Sequence, residues 1–208
     1  KFIHLKNTVL QLQMNPHFIF NSLTAIQNSV LKKDNLKSAE LIATFSKLIR
    51  QNLDYSNRKT ISLTEEIDML SNYIETQQFR FDNLFTYDII LDPKIKSDDV
   101  RIPPMLIQPF IENAIEHGLK HKEKGGKIVV KIKKNNKGIR ISIEDNGIGF
   151  ESSKKYTISN KDGKIHAIDI FKDRLKIRKK QEEKSFALSN LTQNDKVIGT
   201  KVSFTLKE

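Results

Sequence analysis

The chain has 208 residues, with 36 lysines and arginines against 25 aspartates and glutamates, so its formal charge is +11. It holds no cysteine, which excludes disulfides and cysteine-ligated metals and suits a reducing interior. No apolar run approaches the ~18 residues that span a bilayer, and no signal peptide opens the chain. The first residue is Lys1 rather than methionine, so we read a fragment, with any membrane part expected upstream. Only 38% of the residues are apolar and 29% are charged, a balance that suits exposed helices beside one globular domain. The basic excess lies in Lys120–Arg140 and Lys172–Lys184, neither of which contains an aromatic residue for base stacking. We therefore expect a solvated surface and no direct nucleic-acid binding, although a polyphosphate would sit well in this field.

Leu5, Val9, Leu12, Ile19, Leu23, Ile26 and Val30 recur at three- and four-residue steps, the spacing of one helical stripe. Pro16 falls inside it and predicts a kink. Asp34 and Asn35 punctuate, and Leu36, Ala39, Ala43, Ser46, Ile49 and Leu53 repeat the pattern to Tyr55. Two such helices make an antiparallel hairpin, and a dimeric four-helix bundle would hide both stripes. The alternative is packing on the chain's own second domain.

Asn57–Ser62 is polar and marks the expected boundary, giving a hairpin domain over 1–59 and a second domain over 60–208. Ser62 and Glu65 form a capping box for a helix reaching about Phe81. Phe85–Leu91 alternates as a strand, Pro103-Pro104 precedes a helix carrying Ile111–Leu119, and Asn135–Gly138 turns a hairpin between Ile128–Ile132 and Ile139–Ile143. Glu151–Lys164 reads as a long loop, Ile168–Lys180 as a helix, and Ser185–Leu191 and Lys196–Leu206 as closing strands. This segregation predicts an α + β fold, a helical hairpin followed by an α/β sandwich.

The strongest chemical signal is Asp145-Asn146-Gly147-Ile148-Gly149 at a strand end. A carboxylate there can accept the exocyclic amine of adenine and would reject guanine. Alone, the string is also what a tight turn needs. Upstream, Gln108–Gly118 reads as a helix with Phe110, Ile111, Ala114 and Ile115 on one side and Glu112, Asn113, Glu116 and His117 on the other. The Asn113 oxygen is a fit ligand for Mg²⁺; a surface or capping role is the alternative. The Thr200 hydroxyl, after Gly199, could support the Asp145 carboxylate.

The order ENAxxHG, DNGIG, long loop, helix with Arg174-Leu175, then Gly199-Thr200 resembles the Bergerat-type ATP-binding fold of gyrase, Hsp90-type chaperones, mismatch-repair ATPases and histidine kinases. The resemblance implies ATP and Mg²⁺ as ligands, Asn113 on the metal, Asp145 on adenine, Gly147 and Gly149 as the first glycine box, Thr200 as a further adenine contact, and Glu151–Lys164 as an ATP lid. Asn15–Leu23, reading NPHFIFNSL, is similar to the phospho-acceptor motif of LytS/YehU-like sensor histidine kinases, near NPHFLFNSLN. Leu63–Glu66, Tyr73, Gln78, Arg80-Phe81 and Ile102–Pro109 extend the match over nearly the whole chain.

That resemblance implies a kinase core that phosphorylates His17 from ATP and passes the phosphoryl group to a response-regulator aspartate. It also implies a homodimer, and the cytoplasmic portion of a bacterial inner-membrane protein anchored by upstream segments. Glu112 is read as base or orienter, or else as a surface ion-pair partner. Asn21, one helical turn after His17, either positions a water for phosphatase chemistry or satisfies a carbonyl freed by Pro16. The chain departs from the family at Ile165, Ala167 and Ile170, where a second glycine box is expected, and at Glu116, where relatives carry lysine. Phosphate contacts then fall to Lys120, Arg174 or His117. The eroded box also admits another reading, a dimerising scaffold with a degenerate nucleotide pocket.

Overall fold

The computed structural model describes residues 16–120, 122, 124–149 and 186–206, with the backbone alone at residues 16 and 17. These residues fall into two units, one holding residues up to 83 with 97–104, the other 84–96 with the chain from 105 onward.

The helical unit contains α1 (Pro16–Leu31), α2 (Asn35–Ser56) and α3 (Leu63–Arg80), with a two-residue strand β1 (Ile61–Ser62). Pro16 is the first described helical residue, a position where a missing N–H and a fixed φ are tolerated. The kink expected around it, and the helix from Leu5, lie outside the described residues. Asp34 starts α2 by accepting from the Lys37 N–H at 3.2 Å. Ser62 and Glu65 start α3 with the expected capping box, in both directions.

The three helices share one core. Phe18 of α1 is buried, with its ring 4.9 Å from Tyr73 of α3 and 6.2 Å from Phe45 of α2. Burying each such side chain contributes roughly 1.5–3 kcal/mol. Lys47–Asp68 at 3.1 Å and Asn72–Gln51 at 2.8 Å tie α2 to α3 at the surface.

The expected stripe is therefore not the face that this core uses. On α2 the buried set is Ser38, Leu41, Phe45, Leu48 and Asn52, whereas Leu36, Ala39, Ala43, Ser46 and Leu53 face outward. Both faces carry apolar side chains, and the bulkier Leu41, Phe45 and Leu48 take the core. Since α3 packs on the hairpin, the structure divides after residue 83 rather than after 59. The strand β3 (Arg101–Ile102) returns to pair with β1, Ile61 against Ile102.

The second unit is built on a five-stranded sheet of β2 (Phe85–Leu91), β4 (Gly126–Asn135), β5 (Gly138–Asp145), β6 (Ala187–Gln193) and β7 (Lys196–Leu206), in the order β2-β4-β5-β7-β6. All neighbours are antiparallel except β2 on β4, which is parallel. Ile128, Val130, Ile132, Ile139, Ile141 and Ile143 are all buried, so one face of the hairpin is core. Against that core lies α4 (Gln108–Asn113), with the Phe110 ring 5.6 Å from Phe204 of β7. The chain continues from α4 as one π-helical turn, Ala114–Leu119. The expected loop 151–164, the helix 168–180 and Arg174 lie outside the described residues.

Candidate functional site

Alternation along β5 puts Ile139, Ile141, Ile143 and Asp145 on the same inward face, so a carboxylate stands where the pattern calls for an apolar side chain. Asp145 is only 7% exposed. Burial pushes its carboxyl up from 3.8 to about 6, even though hydrogen bonds from the Gly147 N–H and from the N–H and hydroxyl of Thr200, with the Lys122 charge, all favour the ionised form. The Gly147 N–H reaches Oδ1 at 2.9 Å. Thr200 is the register partner of Asp145 across β5 and β7, which explains how one residue supplies two donors.

Glycines let the backbone close around this carboxylate. A Cβ on Gly118, in the π-helical turn, would stand 2.9 Å from Oδ1. A Cβ on Gly147 would overlap the Gly118 carbonyl, to which the Ile148 N–H donates at 3.2 Å. Gly149 has φ +84°, and any side chain there would meet Val197. The π turn carries the Lys120 N–H to the Ile115 carbonyl, five residues back. Such turns interrupt α-helices frequently at functional sites.

A second set of bonds straps the Asp145–Ile148 loop to the segment after the helix. The Asn146 amide donates to the Gly125 carbonyl at 2.9 Å and accepts from the Lys127 N–H at 2.7 Å. Its backbone N–H donates to the Lys127 carbonyl at 3.1 Å, and Lys122 Nζ donates to the Asn146 carbonyl at 2.8 Å.

The helix residues are arranged more openly. Asn113 and Lys120 are exposed, while Glu112 and His117 are half-buried. Glu112 accepts from the Gln108 amide at 2.9 Å, and Lys120 lies 3.7 Å from Glu116. Gln108 is buried, and its Oε1 has no hydrogen-bond partner among the described residues. No cluster of three or more His, Cys, Asp or Glu side chains that could cage a metal occurs among the described residues. The single oxygen of Asn113 fits Mg²⁺ only as an ion held mainly by phosphates and waters.

Asp145, Gly147, Gly149 and Thr200 are thus brought together as the sequence predicts, with Asn113, Glu112 and His117 on the helix that ends at Leu119 and Lys120 at its C-cap. His17 and Asn21 belong to α1 in the other unit; Asn21 is half-buried, and the His17 side chain lies outside the described residues. Sequence reasoning missed Gly118, Lys122, Asn146 and Gln108. Asn146 lay inside the DNG string, Gly118 closed the ENAxxHG string and Gln108 fell within Ile102–Pro109, whereas Lys122 carried no signal.

Residues 103–208, about half of the chain, match the family model described as histidine kinase-, DNA gyrase B-, and HSP90-like ATPase. The chain belongs to this ATPase family. Its other part, residues 5–85, matches the histidine kinase family model, which runs past the 59/60 boundary and includes α3.

Curated relatives extend the histidine-kinase match. The chain is 36% identical over 145 residues to the sensor protein LytS of Staphylococcus haemolyticus, covering 70% of this chain and 24% of that protein. It is 35% identical over 150 residues to the sensor histidine kinase/phosphatase LytS of Staphylococcus aureus, covering 72% and 25%. The resemblance to LytS-like sensor histidine kinases is borne out, and the chain spans about a quarter of the length of these relatives. Among solved structures, the histidine kinase domain of the Erythrobacter litoralis blue-light activated kinase aligns with a TM-score of 0.47 at 12% identity, over 91% of this chain and 94% of that one.

Proposed function

We propose that this chain is the kinase core of a two-component sensor: ATP phosphorylates His17, and the phosphoryl group passes to an aspartate of a separate response regulator. The observation that carries this reading is the buried Asp145 carboxylate, held by Thr200 and Gly147 on an ATPase-family fold. The histidine-kinase match around His17 then selects among the chemistries of that family.

The roles follow from the groups available. Asp145 accepts the exocyclic amine of adenine; guanine presents an acceptor there and would leave a buried charge unpaired. Asn113 is the protein ligand to Mg²⁺, which supplies charge neutralisation to the phosphates. Lys120, His117 and Arg174 are the candidates for phosphate contacts. A neutral imidazole nitrogen of His17 attacks the γ-phosphorus. The P–N bond forms as the bond to the bridging β-oxygen breaks, ADP leaves, and the imidazole N–H proton is released. Glu112 is the base or orienter in this reading, with its carboxylate accepting from the Gln108 amide.

The outward face of α2, with Ile42 and Leu53 exposed, is the homodimer surface of this reading. Segments upstream of the fragment carry the membrane anchor, which leaves the present residues cytoplasmic. Asn21 serves dephosphorylation of the regulator in this reading; the S. aureus relative is named a kinase/phosphatase. The test is label transfer from γ-labelled ATP to the chain, lost in His17→Gln. Adenine-nucleotide binding without such transfer would leave the dimerising scaffold.

A further inference from the structure

We propose that Lys122 is a specificity-determining residue of the adenine site: its ammonium clamps the loop after Asp145 and holds that buried side chain as the acceptor of the exocyclic amine. This inference rests on the nucleotide reading above.

The geometry is specific. Lys122 Nζ donates to the Asn146 carbonyl at 2.8 Å, one peptide beyond Asp145. The loop it clamps is already fixed to Gly125 and Lys127 through the Asn146 amide, so the ammonium meets a rigid target. Its charge stabilises ionised Asp145, and so do the neutral donors of Gly147 and Thr200.

Among the described residues, several other charges on neighbouring elements are engaged elsewhere. Lys127 pairs with Asp88 at 2.8 Å, and Lys120 stands 3.7 Å from Glu116. Lys131 and Lys201 pair with Glu144 at 2.6 and 2.8 Å, and Glu144 points to the opposite face of β5 by alternation. Among the described residues, His117, beside Gly118, is a further titratable group of the helix end. A buried carboxyl near pH 6 is partly protonated in the working range, and a protonated oxygen no longer competes for an amine donor. A nearby cation is what moves that balance back toward the acceptor.

The experiment uses the full chain as wild type, Lys122→Met, Lys122→Gln and Lys122→Arg. The Asp145 carboxyl is followed by carbon-detected NMR in the ligand-free protein, assigned through Asp145→Asn, and ADP affinity is measured from pH 5.5 to 8.5. In Lys122→Met the Asp145 titration is expected to move to higher pH. ADP binding should weaken most near neutral pH and recover toward pH 8.5, and Lys122→Arg should restore both. Lys122→Gln keeps a donor for the Asn146 carbonyl without the charge, so it should show the pH shift even if the Met variant folds poorly. Wild type that binds no ADP at pH 8 overturns the nucleotide reading itself. Wild-type binding with an unmoved Asp145 titration in both uncharged variants, or a loss of affinity equal at every pH, overturns the role of Lys122 alone.

Discussion

The Asp145 carboxyl and the Thr200 hydroxyl are hydrogen-bonded across paired strands, at the one register position where β5 and β7 place a buried acid opposite a residue with two donors. Three donors and a cation still leave the carboxyl raised to about 6, because burial outweighs them. An acceptor held in this condition is costly to the ligand-free fold, and the consequences can be measured.

Asp145→Asn should stabilise the ligand-free protein at pH 7.5 while weakening adenine binding. An amide carries no charge to desolvate and can still accept from the Gly147 N–H. The gain is bounded by the shift from 3.8 to about 6, or at most about 3 kcal/mol. Loss of the charge-assisted bond to the exocyclic amine should weaken ATP by about 1.5–3 kcal/mol. Chemical denaturation and nucleotide titration of the same variant check both signs. Unchanged ATP affinity would remove Asp145 from the pocket.

The pH dependence has a defined direction. Asp145 has its carboxyl raised in the fold, so between pH 3.8 and about 6 the folded protein holds a proton that the unfolded chain has lost. Its contribution to stability is present below that window and is lost as pH rises through it. Nucleotide binding selects the ionised form and runs the other way, strengthening as pH rises through about 6 with release of a proton. Calorimetry of ADP binding in two buffers of different ionisation enthalpy at pH 6 reads that proton directly.

The glycines at the closure should be intolerant in different ways. Gly118→Ala places a methyl 2.9 Å from Asp145 Oδ1, so nucleotide affinity should fall with modest loss of stability. Gly147→Ala drives a methyl into the Gly118 carbonyl, a backbone atom that cannot step aside. It should destabilise the sheet unit by about 1–3 kcal/mol or more. Thermal unfolding and ADP titration of the pair separate the effects.

Much of this was legible in residues whose signals are local. Ser62 and Glu65 wrote their capping box, Phe85–Leu91 and Lys196–Leu206 form as strands over the expected residues, and the DNG string marks the end of β5. What escaped depends on long-range choice. Leu36–Leu53 and Leu41–Leu48 are competing faces of one helix, and which is covered is decided by packing against α1 and α3, elements distant in sequence. The parallel pairing of β2 with β4 and the two-residue strands β1 and β3 leave no periodic trace. The π turn at Ala114–Leu119 adds a residue without any change of composition, so the approach of Gly118 to Asp145 is invisible in sequence.

The outward face of α2 gives a clean test of dimerisation. Ile42→Glu with Leu53→Glu changes two exposed side chains and should yield a folded monomer from a wild-type dimer. Deleting residues 1–56 would instead strip Phe18 from Tyr73, remove the buried Phe45 and Leu48, and confuse assembly with stability. Light scattering at micromolar concentration reads the outcome, and a monomeric wild type would remove the dimer from the proposal.

Asn21→Ala should lose phosphatase activity toward the phosphorylated regulator while His17 autophosphorylation persists. If both fall together, or only stability drops, Asn21 is structural.

In the proposed reaction His17 is the acceptor of the γ-phosphoryl group. Incubating the chain with γ-labelled ATP and Mg²⁺ tests it most directly. Label that is labile in acid and stable in alkali is expected on the wild type and absent from His17→Gln and Asp145→Asn. Label that persists in His17→Gln, or none on a wild type that binds ATP, would contradict it.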